Sequence, residues 1–394
     1  MTVNVSKSGS NLREQLSELN RPVGSHGSQL MKSANTAESF DLVRAGRKNL
    51  IINGSCMIDQ RNSGSSVTTG YAVDRTHVEG FYGAGTGTAQ QVSDAPAGLF
   101  KSLKITVTGT DTSLGSTDFY TLRHIIEGQN VAHLGFGTNN AKTVTLSFWV
   151  KSSITGIFCC SLGNGTNNKT MPKEYIINSV NTWEYKTLTF PGATDGTWGT
   201  DNGRGFSVRW CMGVGSQRRG TVDTYNGNES HGTTKQTNLF ATNGATFQIT
   251  GMQLEEGNAA TPFEHRSYGE ELLLCQRYYI KYIRRPETDT TNFITTLIAG
   301  SGDDAFGVVN LPVPMRANPT LDYSHADHFE TSNIFSTTNT VGGSFTSAYS
   351  MADGDHHAGI RAIMSPNPSF SAGSGRILRF KANLDGWIHW SAEM

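Results

Sequence analysis

Hydrophobic and polar residues alternate along much of the chain after residue 48, which is the pattern of strands that bury one face. The stretch 143–151 is the clearest case, and its inward positions carry four large apolar side chains: Val144, Leu146, Phe148 and Val150. The stretches 185–190 and 206–212 repeat the pattern, and 50–53 also has the composition of a strand. Antiparallel strands with one solvated face predict a β-sandwich or jelly roll over residues 49–266.

The pattern changes twice at the end of this region, at Gly251 and at Ser267, which predicts a second domain. The strand phase switches at Gly251, as it does where a β-bulge interrupts a strand. Ser267 and Glu270 then form the S-x-x-E capping box of a short helix that precedes Tyr278, where alternation resumes. The sequence therefore predicts a linker helix that leads into a C-terminal β-sandwich domain over residues 267–394.

The end of the chain has the features of a β-hairpin. Apolar and basic residues alternate over 378–382, Asp385-Gly386 is a frequent type I′ turn sequence, and residues 387–394 supply the returning segment. We therefore expect these two segments to pair with each other and to close the chain on a paired strand.

Residues 1–48 are mostly polar and contain two short helical patterns, each with an apolar face that nothing nearby in the sequence covers. Such a segment is either a flexible leader or an arm that orders on a partner. The uncovered faces favour an N-terminal docking arm. The apolar positions assigned to docking are Leu12, Leu16, Leu19, Phe40 and Leu42.

Composition agrees with an all-β protein and excludes several partners. The chain has 394 residues, enough for two domains with an appendage, and it combines 44 glycines with only 16% charged residues. A formal net charge of -1 gives no general attraction to nucleic acid, and we expect neither a secretion signal nor insertion into a membrane. The irregularly spaced cysteines predict buried thiols: Cys56, Cys159, Cys160, Cys211 and Cys275.

The charged residues give little indication of catalysis, and no cofactor is predicted. Glu255 and Glu256 are adjacent in a strand, so their side chains leave on opposite faces and cannot flank one bond. Solvated surface is the expected role of both. Loose Asp and His clusters lack the spacing of a metal site, and whether an ion lies between subunits stays open. These clusters are Asp303-Asp304, Asp353, Asp355, His356-His357, and His325 with Asp327 and His328.

Sugar binding requires an exposed aromatic ring beside polar groups that recognise hydroxyls. Trp149 lies on the polar face of its strand, Trp183 and Trp198 lie in turns, and Tyr225 lies in a polar segment. Core packing is the alternative for each ring, and burial between subunits is a further one for Trp149. Polar loops add histidines, so the candidate ligand-binding residues are Trp198, Tyr225, Trp149, His325, His328, His356 and His357.

Several segments resemble, in the expected order, the tail-fibre and receptor-binding virion proteins of tailed bacteriophages, of the cyanophage and marine podophage kind. They are NLIINGSCMIDQRNSG (49–64), SFWVKSS (147–153), NTWEYKTLTFPG (181–192), ITGMQLEEGNAATPFEHRSYGEELLLCQRYY (249–279) and LPVPMRANPTLDY (311–323). The resemblance implies a carbohydrate-binding-module-like jelly roll, a distal tip domain and a homotrimer. It also implies attachment through residues 1–48 to the phage tail or to adaptor or nozzle proteins.

The function implied by this resemblance is adsorption to the host cell surface by multivalent, non-catalytic binding of a polysaccharide or lipopolysaccharide. The protein would be assembled in the host cytoplasm and would act in the virion tail. Three alternatives remain open: a capsid-surface fibre or decoration protein, a polysaccharide depolymerase spike, and a cellular carbohydrate-binding module. The short N-terminal arm favours a compact fibre over a long shaft.

Overall fold

Most regular structure in the described part of the chain is β-strand, which confirms the all-β prediction. The structure is a computed structural model that describes residues 47–284, 293–300, 304–333, 344–352, 357–365, 373–381 and 384–394. The five residues assigned to docking, and His356, lie outside these ranges. The described helices fall short of the length and apolar content that a membrane span requires.

The strands before residue 260 form two antiparallel sheets. In chain order they are β1 (Gly70–Val73), β2 (Thr76–Tyr82), β3 (Thr86–Val92), β4 (Ser102–Gly109), β5 (Phe119–Glu127), β6 (Val144–Ser152), β7 (Gly156–Asn164), β8 (Thr170–Ile177), β9 (Glu184–Phe190), β10 (Arg204–Val214) and β11 (Thr246–Glu256). The front sheet has the order β3-β4-β11-β6-β9, and the back sheet has the order β1-β2-β5-β10-β7-β8. A short helix, α1 (Gly128–Val131), follows β5.

The front and back sheets pack face to face through their alternating apolar side chains. The ring of Phe148 in the front sheet lies 5.2 Å from that of Tyr175 and 6.0 Å from that of Trp210, both in the back sheet. Phe158 and Phe247 meet across the same core with ring centroids 5.9 Å apart. These contacts define a β-sandwich, as the strand pattern predicts.

The predicted solvated face is wrong for the centre of the back sheet. Ser207 and Arg209 point outward from β10, yet both are buried. Residues 215–238 cover this face, and Glu229 of that segment meets Arg209 with an Oε1–Nη2 distance of 3.3 Å. Alternation shows that one face of a strand is polar, but a polar face can meet water or a second polar layer.

The segment 50–53 is a turn and not the predicted strand. The side chain of Asn49 accepts hydrogen bonds from the N–H groups of Ile51 (3.0 Å) and Leu254 (3.1 Å) and donates one to the carbonyl of Met252 (3.0 Å). Because one side chain satisfies these backbone groups, the segment is fixed on β11 without forming a strand of its own.

The bulge is confirmed, and so is Ser267 as the N-cap of the predicted helix. Gly251 has a φ of +60°, and the pairing of β11 with β6 shifts register around it. Helix α2 (Tyr268–Gln276) begins after Ser267, whose hydroxyl accepts the N–H of Glu270 at 3.3 Å. Local backbone chemistry determines both features, so the sequence was sufficient to predict them.

Glu255 is buried, which corrects the expectation that it lies on a solvated surface. Its carboxylate accepts the N–H of Thr261 at 2.8 Å and the hydroxyl of the same residue at 2.7 Å. Glu256 is exposed and pairs with Lys142 at 2.9 Å. Glu255 therefore fixes the turn after β11, and the adjacent carboxylates do leave on different sides.

The C-terminal strands form two further sheets. They are β12 (Tyr279–Ile283), β13 (Phe293–Ala299), β14 (Asp304–Asn310), β15 (Thr320–Tyr323), β16 (Phe329–Asn333), β17 (Ser344–Ala352), β18 (His357–Ser365), β19 (Gly375–Phe380) and β20 (Trp387–Ser391). One sheet has the order β12-β20-β15, and the other has the order β16-β19-β13-β14-β18-β17. Strands β19 and β20 lie in different sheets, so the predicted hairpin between them is wrong. A turn sequence favours chain reversal but does not select the partner strand.

The sandwich and the C-terminal sheets have separate apolar cores within the compact unit Asn49–Met394. Three side chains join them in what we call the C-terminal clasp: Arg61, Arg75 and Glu393. Glu393 pairs with the buried guanidinium of Arg75 and, at 3.0 Å, with Arg61. The domain boundary at residue 266 stays a prediction. All five cysteines are buried and unpaired, as expected.

Candidate functional site

Two of the predicted ligand-binding rings pack together at the edge of the core. The indole of Trp198 is buried, its Nε1 donates to the carbonyl of Asp195 at 3.0 Å, and its ring contacts core phenylalanines. The ring centroid of Tyr225 lies 5.9 Å away, and its hydroxyl donates to the carbonyl of Pro191 at 2.9 Å. The buried ring of Trp198 therefore offers no open face to a sugar, and the hydroxyl of Tyr225 is already engaged within the protein.

The predicted histidines lie in the C-terminal part of the chain. The rings of His325 and His328 are 5.8 Å apart, with His325 exposed. His325 Nδ1 accepts the backbone N–H of Asp327 at 3.3 Å and lies 3.5 Å from the carboxylate of the same residue, and His328 Nδ1 lies 2.8 Å from the hydroxyl of Ser324. His357 begins β18. No group of three or more potential metal ligands occurs among the described residues.

Trp149 belongs to a cluster of rings on the outer side of the front sheet. It is directly opposite Tyr185 in the pairing of β6 with β9, and their ring centroids are 5.3 Å apart. Trp183 lies just before β9, and its ring is on the same side of the sheet because it lies against Lys151, which shares the outward side of β6 with Trp149. We call Trp149, Trp183 and Tyr185 the aromatic face. Tyr185 is 43% exposed, and the two tryptophans are half-buried.

An ion pair lies beside these rings and supplies charged and polar groups. Lys151 pairs with Asp94, and its ammonium lies 5.1 Å from the ring centroid of Trp183. The indole Nε1 of Trp183 donates to the same carboxylate at 3.3 Å. Hydrogen bonding to Lys151, followed by that to Trp183, lowers the pKa of Asp94, so the carboxylate stays ionised. The aromatic face thus has an acceptor and a cation at its border.

Two local features hold the aromatic face in place. The bulge at Gly251 lies beneath Trp149: a Cβ there would be 3.1 Å from Cδ1 of Trp149 and 2.9 Å from Cδ1 of Leu99. Glu184 accepts the N–H groups of Asn178 and Ser179, both at 2.8 Å, and so fixes the turn before Trp183. Burial opposes ionisation of Glu184, but these bonds and that from Lys186 lower its pKa to about 2.

Sequence reasoning missed Tyr185, Asp94 and Lys151 as members of this site. The parity of β9 was a usable signal for Tyr185, because Leu188 and Phe190 point inward and the odd positions therefore point outward. No such signal existed for Asp94, since it lies 57 positions from Lys151 in the sequence and meets it only through the fold.

A second group of charges lies under the segment 215–238 on the back sheet. Arg209 is fully buried and donates from Nε to Glu79 at 2.6 Å. Burial opposes ionisation of Glu79, but the guanidiniums of Arg209 and Arg123 outweigh it and lower the pKa. The nearby imidazole of His231, whose Nε2 lies 3.4 Å from Oε1 of Glu229, and the charge of Arg209 lower the pKa of Glu229 to about 2. These carboxylates are therefore fixed as ions.

No protein-family model matches the chain, and no curated protein matches it. Among solved structures, the enzymatically active domain of tailspike protein 4 from bacteriophage CBA120 aligns with 53% of this chain at 11% identity and a TM-score of 0.29; the chain covers 21% of that protein. The CBM22-1–CBM22-2 tandem domain of Paenibacillus barcinonensis Xyn10C aligns with 85% of this chain and 99% of its own, at 10% identity and a TM-score of 0.27. The family 11 carbohydrate-binding module of Clostridium thermocellum Lic26A-Cel5E aligns with 51% of this chain and 98% of its own, at 12% identity and a TM-score of 0.26. Sequence identities and TM-scores this low do not assign a function to the chain.

Proposed function

We propose that this chain is a bacteriophage tail fibre that binds a host surface glycan through the aromatic face without cutting it. The observation that carries the proposal is the placement of Trp149, Trp183 and Tyr185 on one outer sheet surface, bordered by the Lys151–Asp94 pair. Rings with apolar faces and adjacent hydrogen-bonding groups are what a sugar requires of its site. The segments that resemble phage tail fibres supply the biological setting.

The geometry suits stacking of a sugar ring better than capture in a deep pocket. Tyr185 is the most exposed of the three rings, and its centroid is held 5.3 Å from that of Trp149 by strand pairing. A rigid sheet positions aromatic groups with little loss of conformational entropy on binding. The carboxylate of Asp94, already ionised, can accept hydrogen bonds from sugar hydroxyls.

The absence of cleavage is part of the proposal, and the group of charges under residues 215–238 offers no acid for it. Glycosidases need one carboxylic acid that is protonated and one carboxylate. Glu79 and Glu229, which flank Arg209, are both held ionised, and residues 215–238 cover them. Neither could donate a proton near neutral pH. Adhesion without turnover is the simpler activity for this chain.

Multivalency would make weak single sites sufficient. If the chain is a homotrimer docked through residues 1–48, each fibre presents three copies of the aromatic face to a repeating polymer, and avidity rises without new contacts. A trimer would have about three times the chain mass of 42.6 kDa in solution. A chain without residues 1–48 should fold and assemble but fail to join particles.

Adsorption of the labelled protein to host cells tests the proposal. Trp183→Ala with Tyr185→Ala should abolish most adsorption, whereas Tyr268→Ala, which removes a tyrosine that is 61% exposed on α2, should leave it unchanged. Added host polysaccharide should compete, and its chain length should stay constant. Undiminished adsorption of the double variant, or a shortened polymer, would overturn the proposal. A fall in oligomer mass would instead assign the rings to a subunit interface.

A further inference from the structure

A polar cavity of about 560 Å³ lies on the back-sheet side of the sandwich, away from the aromatic face. Its wall comes from the covering segment 215–238 and from Glu174 at the edge strand β8. The groups that line it are mainly hydroxyls, amides and three charged side chains, together with the apolar side chain of Val222, and they include no aromatic ring. Recognition there would depend on hydrogen bonds and charge instead of stacking.

Hydrogen bonds within the protein fix the wall of this cavity. The backbones of Thr170 and Asn226 exchange two hydrogen bonds, of 2.7 and 3.1 Å, and the hydroxyl of Thr170 donates to the carbonyl of Asn228 at 2.6 Å. The N–H of Gly220 donates to the carbonyl of Gly232 at 2.9 Å. A segment fixed in this way loses little conformational freedom when it binds.

The charges at the cavity leave a positive excess. Glu174 is already engaged, because it accepts the hydroxyl of Thr233 at 2.7 Å and faces the ammonium of Lys235 at 3.4 Å. Arg219 donates from Nε and Nη2 to the carbonyl of Val214, at 3.2 and 3.0 Å. Its Nη1 makes no hydrogen bond with the described residues. The lining therefore carries one carboxylate and two cations, and each cation retains N–H donors for a ligand.

We propose that this cavity binds a carboxylate-bearing saccharide unit of the uronate type. Arg219 and Lys235 would hold the carboxylate, and the hydroxyl and amide side chains of Thr221, Asn228 and Thr234 would bind the sugar hydroxyls. The volume lies within the range of small-molecule ligand pockets, about 300–1,000 Å³, and is therefore sufficient for one or two sugar rings. The site is independent of the proposed function, because it shares no residue with the aromatic face.

Ligand-observed NMR with free glucuronate, glucose and inorganic phosphate tests this site on the full chain. Glucuronate should bind, glucose should bind more weakly, and phosphate should compete poorly. Lys235→Gln should weaken glucuronate binding about tenfold, the usual loss for a hydrogen bond to a charged group, while Lys142→Gln, a similarly exposed lysine elsewhere, should not. Lys235→Glu should abolish binding.

Three results would overturn the inference: equal binding of glucose and glucuronate, full competition by phosphate, or unchanged affinity in Lys235→Glu. Lys235 has a side chain that is 64% exposed, so its replacement should not prevent folding. Tyr185→Ala distinguishes the two sites, since it should impair cell adsorption and leave glucuronate binding intact. Failure of one site would therefore leave the test of the other unaffected.

Discussion

The C-terminal clasp allows a sharp prediction about stability. Glu393, the penultimate residue, pairs with Arg75, whose side chain is only 1% exposed, and with Arg61. We consider Glu393→Gln, which removes the charge and keeps the shape. The guanidinium of Arg75 would then retain the carbonyl of Ile125 at 2.7 Å and the ring of Tyr278 at 3.5 Å, but no carboxylate.

The magnitude follows from the burial of Arg75. Removal of one partner of a buried ion pair costs about 3–5 kcal/mol, because the other charge stays buried without compensation. Arg75 keeps two contacts, and glutamine still offers it an acceptor oxygen. We therefore expect a loss of unfolding free energy at the lower end of this range, about 3 kcal/mol. The matched control is Glu256→Gln, whose partner Lys142 is 47% exposed. It should cost less than about 1 kcal/mol.

Urea unfolding followed by tryptophan fluorescence and by circular dichroism measures both variants, and coincident transitions would justify a two-state treatment. Arg75→Met in the Glu393→Gln background should recover part of the loss, since it removes the uncompensated charge. Equal losses in Glu393→Gln and Glu256→Gln, or no recovery in the double variant, would refute the reasoning.

Three other substitutions test different parts of the molecule. Burial raises the pKa of Asp74 from 3.8 to about 6, against the charge of Arg61 and the hydrogen bonds from Gln60. The stability that this group contributes below pH 3.8 is lost as pH rises through 6, so the unfolding free energy of the native chain should fall by up to about 3 kcal/mol relative to that of Asp74→Asn across this window, measured by unfolding at several pH values. Arg209→Met should lower the unfolding free energy by about 3 kcal/mol, because Glu79 and Glu229 lose their shared partner and keep Arg123 and Arg218, respectively; a loss like that of a surface residue would contradict it. Gly251→Ala should cost more free energy of glycan binding than free energy of unfolding, because its Cβ would displace Trp149. Unchanged affinity would show that the bulge does not position the ring.

The sequence was most informative where a short stretch determines its own conformation. The phase switch at Gly251 and the cap at Ser267 need only neighbouring backbone groups, and both were predicted correctly. The alternation around Phe148 likewise identified the strands that face the core. Each of these features depends on a period or a local hydrogen bond, so one chain segment contains the whole signal.

The features that sequence did not reveal depend on pairings between distant segments. The alternation of its strand predicts that Arg209 faces solvent, and only the fold brings residues 215–238 over it. Trp149 was a candidate from its parity, but its partner Tyr185 follows from the register of β6 with β9. Trp198 lies in a turn-rich segment and is nevertheless buried, because the ring is large enough to reach the core.

The central claim is that the aromatic face binds a surface glycan. The most direct test is the dissociation constant for host surface polysaccharide. It is measured by calorimetry with the purified native chain and with Tyr185→Ala. Loss of one stacked ring predicts a rise of about tenfold or more, with Tyr268→Ala unchanged. An identical constant for the native chain and Tyr185→Ala would contradict the account.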